Sequence, residues 1–360
     1  MRKAKYVHII WHPDLKFIPN LVKMINENPD FFDVKEHVFV TPHKRVYDYL
    51  SPKYEIYLEG EESENLINRF GEYGDWIFVH AINCKRKVLI QTKKKYAKKV
   101  IWRTWGHDMR PSYKKSKNCI INFMNHILYI LYKRTVSHFR AIGIANDIDT
   151  VNVNSTFGEI PTMILTYAYN KQNDIMLNII GKEHKVTEEF RILVGHSRSV
   201  FDCHIDAMKK LEKYKDHNIK ICMVLSYGGP EEYGEEVKEY AREHFGEKVE
   251  FVERLMGYDE YIKYLSTIDL AILPQIHSSA LGNMAWLFHF GIPVYVRENS
   301  QFAESFRRNN CGYCSFETID NLSYHEFVNS QNSPETEKMF GHIRSTKDSC
   351  EEWKKNLESL

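Results

Sequence analysis

Short apolar runs alternate with amphipathic stretches along this chain, and the alternation breaks once. Residues 6–11 form an apolar run of strand length. The next segment places Phe17, Leu21, Met24 and Ile25 on one helical face. Further strand-length runs lie at 38–40, 76–81, 100–104, 140–145 and 162–166. Residues 171–188 lose the pattern, which restarts with runs at 190–194, 219–225, 249–252, 270–273 and 292–296. Strands that are apolar on both faces and separated by helices belong to a parallel sheet covered on both sides. The expected fold is therefore α/β, with two Rossmann-like doubly wound parallel-sheet domains facing an interdomain cleft. The first domain is placed at 1–170, a linker at 171–188, the second domain at 189–333, and a polar C-terminal helix at 334–360 that packs back on the first domain. A chain of 360 residues is long for one core and natural for two.

The net charge of +1 hides an asymmetry. Residues 1–170 carry 26 lysines and arginines against 17 aspartates and glutamates, whereas the rest of the chain carries 23 against 31. A basic half points to an anionic partner: a membrane surface, a pyrophosphate-linked lipid or nucleic acid. The seven cysteines are irregularly spaced and read as reduced thiols. Cys311 and Cys314 form a lone CxxC, which supplies two of the four ligands a structural zinc needs. The first residues run straight into a strand without an apolar signal region, so a cytoplasmic location is expected.

In open parallel sheets, ligands bind beyond the carboxyl ends of the strands. Four segments fall there or close by. After the run at 190–194 come Gly195, His196, Ser197 and Arg198, with Asp202 as a candidate N-cap for the following helix. A helix N-terminus with free N–H groups suits a phosphate, and Ser197 and Arg198 add side-chain donors. Ser226 and Tyr227 follow the next run. Ser278, Ser279, Leu281 and Gly282 form a small-residue opening to a buried helix, and Arg297 and Glu298 end the run after it. In the first half, Trp105, Gly106, His107 and Asp108 follow the run at 100–104, where Asp108 or His107 can take a proton from an acceptor hydroxyl; His80 ends an earlier run. Ordinary packing accounts for the tryptophans, for the buried helix and, more readily than catalysis, for His80.

Two further features stand apart. Lys114, Lys115 and Lys117 precede an apolar segment over 119–132, and Lys133 and Arg134 follow it. The segment reads either as an interfacial helix on anionic lipid or, slightly preferred, as a core helix with solvated lysines. Asp147-Ile148-Asp149 is a DxD triplet, a weak signal for a metal on a nucleotide diphosphate.

Taken in order, these motifs resemble glycosyltransferase family 56. WRTWGHD is similar to the family's W-x-x-W-G-x-D, so Trp102, Trp105, Gly106 and Asp108 match; ILVGHS with the downstream His204, then Leu281-Gly282, Gly291-Ile292-Pro293 and Arg297-Glu298-Asn299, also match. The resemblance implies the GT-B architecture and a hexosyltransferase that moves a deoxyamino sugar from a TDP- or UDP-sugar to a polyprenyl-pyrophosphate-linked saccharide in surface polysaccharide synthesis. It implies a donor site on the second domain, an acceptor site on the basic first domain, peripheral attachment to the inner face of the plasma membrane, no metal cofactor and no nucleic-acid partner. His196 stands where the family has Asn, His107 where it has Ala, and Ser278-Ser279-Ala280 where it has a glutamine-rich loop. A pair of glutamates seven residues apart, common in retaining GT-B enzymes, is absent ahead of Gly291. Two rival readings are a sugar-nucleotide epimerase of similar architecture and a non-enzymatic module that binds anionic lipid or nucleic acid.

Overall fold

A computed structural model describes the chain except residues 16, 62, 83, 106–107, 110–117, 147, 168–170, 182–183 and 278, and the side chains of 171–172. It divides into two compact units: residues 1–170 with 344–360, and residues 171–343. Unit 1 holds seven parallel strands, β1 (Ala4–Ile10), β2 (His37–Thr41), β3 (Ile56–Leu58), β4 (Gly74–His80), β5 (Val100–Arg103), β6 (Ala141–Ile144) and β7 (Thr162–Ile164). Their order is β3-β2-β1-β4-β5-β6-β7. Unit 2 holds six, β8 (Phe190–Val194), β9 (Ile219–Val224), β10 (Val249–Val252), β11 (Leu270–Leu273), β12 (Val294–Val296) and β13 (Cys314–Ser315), in the order β10-β9-β8-β11-β12-β13. Each sheet reverses its direction of growth beside its first strand, between β1 and β4 and between β8 and β11. Both units are doubly wound, as the alternating pattern requires.

Successive residues of a strand face opposite sides of the sheet. In β1, Val7 and Ile9 join one apolar layer with Val38, Ile77 and Trp102, while Tyr6 and Ile10 join another with Phe39, Phe78 and Trp353. Of the four edge strands, β3 and β13 have three and two residues and carry no apolar run in the sequence.

Two boundaries expected from the sequence are corrected. The stretch 171–188 is not a bare linker, because Lys171–Ile180 is a helix of unit 2. Met176 is buried there, and Asn173 accepts a hydrogen bond from the Tyr258 hydroxyl. The tail is two helices. Pro334–Phe340 stays with unit 2, whereas Thr346–Glu358 packs in unit 1, burying Trp353 and donating its indole N–H to the Thr166 carbonyl at 2.6 Å.

A row of buried polar groups crosses one face of the unit 1 sheet. His37 lies 2.9 Å from His8, His8 lies 3.0 Å from His80, and His80 lies 2.8 Å from the Tyr167 hydroxyl. The Trp105 indole N–H donates to the same hydroxyl at 2.9 Å. An indole can only donate, so it takes one of the two lone pairs of the Tyr167 hydroxyl, and one arrangement that fills the row has that hydroxyl donating to His80 Nδ1. His80 then donates from Nε2 to His8 Nδ1, and His8 from Nε2 to His37 Nδ1. All three imidazoles are neutral in this arrangement, and rings stack around His8 from Phe39 at 4.7 Å and Phe78 at 5.1 Å. Burial pushes His8 well below the ordinary histidine value, helped by His37 and His80. It lowers His37 to about 3, with Asp33 opposing and Arg2 assisting, and His80 to about 3, with Arg103 assisting.

The sign of the linkage follows. Above pH about 6.5 these histidines are neutral folded and unfolded, and below it only the unfolded chain binds the protons. Stability is therefore expected to fall progressively from pH about 6.5 toward 3. Calorimetric unfolding of unit 1 at pH 5 should take up protons, and the melting temperature should drop between pH 7.5 and 5; a flat profile over that range contradicts the buried neutral row.

Candidate active site

The loops at the carboxyl ends of β8, β9, β11 and β12 meet at the switch point of unit 2. Gly195 leaves β8 with φ of +69°, and a Cβ there would lie 2.5 Å from His204 Nε2, so both conformation and space require glycine. The turn is held from inside by Asp202, which is fully buried. Its Oδ2 accepts from the N–H of His196 at 3.1 Å, the N–H of Ser197 at 2.8 Å and the Ser197 hydroxyl at 3.0 Å. Its Oδ1 lies 3.0 Å from His196 Nδ1. Burial alone would raise this carboxyl, but the His196 contacts outweigh it and hold it below the usual carboxylate range. Asp202 is thus not the N-cap expected from the sequence. Cys203 intervenes in the left-handed region at φ 48°, which turns the carboxylate back toward the loop. The N–H groups of His196 and Ser197, expected to meet a phosphate, are already taken.

Arg198 is differently placed. Its N–H donates to the Tyr227 carbonyl at 2.7 Å and its Nε to the Gly229 carbonyl at 3.1 Å. Its two terminal guanidinium nitrogens make no hydrogen bond or ion pair among the described residues. Three glycines make room for it. A Cβ on Gly229 would lie 2.5 Å from the Arg198 carbonyl oxygen, one on Gly234 would lie 2.5 Å from Arg198 Cδ, and Gly228 packs against Ser197 with φ of +111°. Sequence reasoning missed this cradle, although the clustering of glycines in SYGGPEEYG (226–234) is the signal that marks it. Ser226 is half-buried and Tyr227 is exposed beside it.

On the other side of the switch, Ala280 adopts φ of 62° and starts the helix Leu281–His289. Among the described residues a Cβ on Gly282 would meet nothing within 4 Å, so the first turn is open on that side. Gln275 is fully buried, donates to the Ser279 carbonyl at 3.4 Å and leaves its Oε1 without a partner among the described residues. Arg297 donates to the Pro274 carbonyl at 2.6 Å and to Asp206 at 2.7 Å, which ties β12 to the β11 loop and to the helix after β8. Glu298 accepts from the Ser315 hydroxyl at 2.9 Å and so braces the sheet edge. Ser278 lies outside the described residues.

In unit 1 the carboxyl edge is organised by Asp108. Oδ1 accepts from the Thr104 hydroxyl at 2.6 Å and the Trp105 N–H at 2.8 Å; Oδ2 accepts from the Trp102 indole at 2.9 Å and the Ile82 N–H at 3.2 Å. A carboxylate has about four lone-pair sites, and all four are engaged. Asp108 therefore ties strand β5 to the loops after β4 and β5, and this bracing is the role its bonds show. His80 is corrected too: it is fully buried inside the polar row and does not line a surface. His107 and Gly106 lie outside the described residues, as do Lys114, Lys115, Lys117 and Asp147. Asp149 accepts from the Ala145 N–H at 3.4 Å, which closes the turn after β6. Among the described residues no group of three or more His, Cys, Asp or Glu is placed to hold a metal ion. The seven cysteines are free thiols.

Two doubly wound parallel sheets in one chain, with loops gathered at each switch point, define the α/β fold of the GT-B glycosyltransferases. Known structures share it. HepE of Anabaena, crystallised with UDP, superposes with a TM-score of 0.60 at 10% identity, covering 99% of this chain and 100% of that one. A glycosyltransferase from Rickettsia africae ESF-5 gives 0.56 at 9% identity, covering 100% and 94%. The N-terminal domain of trehalose-6-phosphate phosphatase from Candida albicans gives 0.52 at 10%, covering 99% and 97%. At such identities the likeness is one of fold. Family membership rests on sequence: the chain belongs to the 4-alpha-L-fucosyltransferase glycosyl transferase group 56, whose family model matches residues 67–333. The resemblance read from the motifs is borne out, and the protein is a glycosyltransferase.

The two aspartates give opposite expectations from catalytic carboxylates. Asp202→Ala strands two buried N–H groups and a hydroxyl, each worth about 1–3 kcal/mol when left unpaired. Chemical denaturation should show a loss of several kcal/mol. Asp108→Ala should likewise lower the melting temperature; an unchanged melting temperature in either variant contradicts the bracing role.

Proposed function

We propose that this glycosyltransferase moves a deoxyamino sugar from a TDP- or UDP-linked donor to a polyprenyl-pyrophosphate-linked saccharide during surface polysaccharide synthesis. The observation that carries the donor side is Arg198: a half-buried guanidinium, fixed at its Nε and at its backbone, with its terminal nitrogens unengaged at the switch point of a parallel sheet. A guanidinium fork of this kind suits the paired oxygens of a phosphate. The open first turn of Leu281–His289 adds the N–H groups and positive dipole end that a leaving diphosphate requires. The Anabaena structures, solved with UDP and with UDP-glucose, support a nucleotide-sugar donor.

Ser197 and Arg297 then shape the site without touching the diphosphate, since Asp202 holds one and Asp206 the other. His196 faces Asp202 in the same way. Tyr227, exposed beside Arg198, and Ser279, Leu281 and Gly282 at the opposite loop are the surfaces left for the nucleoside and sugar. In unit 1, Asp108 holds the loop that follows β5, and His107, adjacent to it in sequence, takes over as the candidate base. Acceptors of this class sit in a membrane, so the enzyme works peripherally at the cytoplasmic face. No helix among the described residues is long and apolar enough to cross a bilayer.

Arg198→Ala is expected to weaken UDP or TDP binding by about 1.5–3 kcal/mol, the worth of a charged hydrogen bond, with the melting temperature unchanged. Calorimetric titration that finds equal affinity removes the donor assignment. If Arg198 and the helix N-terminus carry the diphosphate charge, turnover should survive chelation; an absolute requirement for magnesium or manganese contradicts that division of labour. His107→Ala should lower turnover roughly 10²–10⁴-fold with donor affinity intact, and full activity in that variant rejects it as the base.

A further inference from the structure

The helix Cys119–Val136 leaves its apolar residues uncovered. Only Tyr132 and Val136 are buried, near its C-terminal end, whereas Ile120 is 68% exposed, Phe123 63%, Met124 51% and Ile130 52%. The structure thus reverses the core-helix reading preferred from the sequence. The helix contains no acidic residue. At 3.6 residues per turn, Ile120, Met124, Ile127 and Leu131 form one stripe, and with a rise of about 1.5 Å per residue that stripe is roughly 16 Å long.

The same stripe continues to Arg134 and His138, and these line a groove. The groove has a volume of about 350 Å³; Ile90, Ala97 and Leu131 form its apolar wall, and Lys94, Arg134 and His138 its basic one. Its cations are uncompensated. Lys95 pairs with Glu72 at 2.7 Å, but neither Lys94 nor Arg134 has a carboxylate within ion-pairing distance among the described residues. Lys93, Lys98 and Lys87 are exposed nearby in sequence. The groove lies at the amino edge of the sheet, because only residues 137–140 separate the helix from the start of β6. The loops proposed for catalysis lie at the opposite, carboxyl edge. The groove is therefore remote from the reacting groups of unit 1.

We propose that this face docks on a bilayer, with the apolar stripe in the interfacial region and the Lys94–Arg134–His138 groove holding the phosphate of an anionic phospholipid headgroup. An apolar stripe alone suits many partners. A stripe that runs into an unpaired cationic groove suits an amphiphile whose anionic head adjoins its apolar tail. The proposal rests on the reading that the acceptor is lipid-linked, and it is tested without that acceptor.

The test is flotation of the full chain with phosphatidylcholine vesicles and with vesicles containing phosphatidylglycerol, at low and high salt. Wild-type protein should float with the anionic vesicles, and high salt should weaken this. Lys94→Glu combined with Arg134→Glu should reduce anionic-vesicle binding about tenfold or more. Ile120→Ser combined with Met124→Ser should reduce it at every salt concentration, and Arg134→Gln should give a smaller loss. These side chains are exposed, and an unchanged melting temperature shows that the variants fold. Equal flotation with neutral and anionic vesicles overturns the proposal. So does full competition by soluble glycerol phosphate with no effect of the serine variant, which marks a free-anion site. A wild-type dimer that ignores vesicles and is split by the serine variant also overturns it, in favour of a second copy. Transfer to a water-soluble acceptor analogue should persist in all the variants. Wild-type protein that ignores both kinds of vesicle yet transfers to lipid-linked acceptor refutes the docking face alone; vesicle binding without any such transfer refutes only the acceptor reading.

Discussion

A carboxylate that absorbs the inward-pointing donors of a strand-end loop, fully buried in one unit and half-buried in the other, is the interaction on which both candidate sites depend. In unit 2 it is Asp202, which takes two N–H groups and a hydroxyl from the turn after β8. In unit 1 it is Asp108, which takes three donors from the loops after β4 and β5 and a fourth from Trp102 of β5. Such loops carry polar backbone that cannot be left unpaired once it is covered. An aspartate in place of ligand or water fixes the loop before any substrate arrives, and preorganisation of that kind reduces the ordering cost of binding.

That arrangement also decides which groups remain for chemistry. Asp202 removes the His196 and Ser197 amides from the list of phosphate donors, and Asp206 removes one arm of Arg297. Arg198 is left with unengaged nitrogens because its own anchors are the Tyr227 and Gly229 carbonyls. In unit 1 the hydrogen-bonded row of His37, His8, His80 and Tyr167 ends at the Trp105 indole, and the backbone N–H of Trp105 donates to Asp108. The carboxyl edge of that sheet is thus braced from below by neutral imidazoles and from the side by one carboxylate.

The alternating sheets were legible because their central strands are buried on both faces, which only an unbroken apolar run can satisfy. β3 and β13 were not, since their three and two residues sit among polar neighbours, whereas the equally short edge strand β7 continues into Leu165 and is found. The helix Lys171–Ile180 hid because Ile175 and Ile179 are exposed and the side chains it buries, Asn173 and Met176, include a polar one, so no apolar face shows in the sequence. Glycosyltransferase membership was legible in WRTWGHD and ILVGHS. The role of Asp202 was not, because a polar residue ahead of a helix has the local pattern of a cap, and only the left-handed Cys203 redirects it. The histidine row joins residues 29 and 72 positions apart, a pairing that parallel register creates and no local pattern announces. Periodicity likewise found the apolar stripe of Cys119–Val136 but could not say whether the sheet covers it.

The central claim is that the switch-point loops of unit 2 form a nucleoside-diphosphate site. Thermal unfolding across a panel of TDP, UDP, GDP and ADP measures it directly, because a ligand that binds only the folded chain stabilises it by mass action, about 2.7 kcal/mol at a hundredfold excess over Kd. The account predicts a saturable rise in melting temperature with TDP or UDP that exceeds the rise with the other two. No rise with any of the four at millimolar concentration would contradict it.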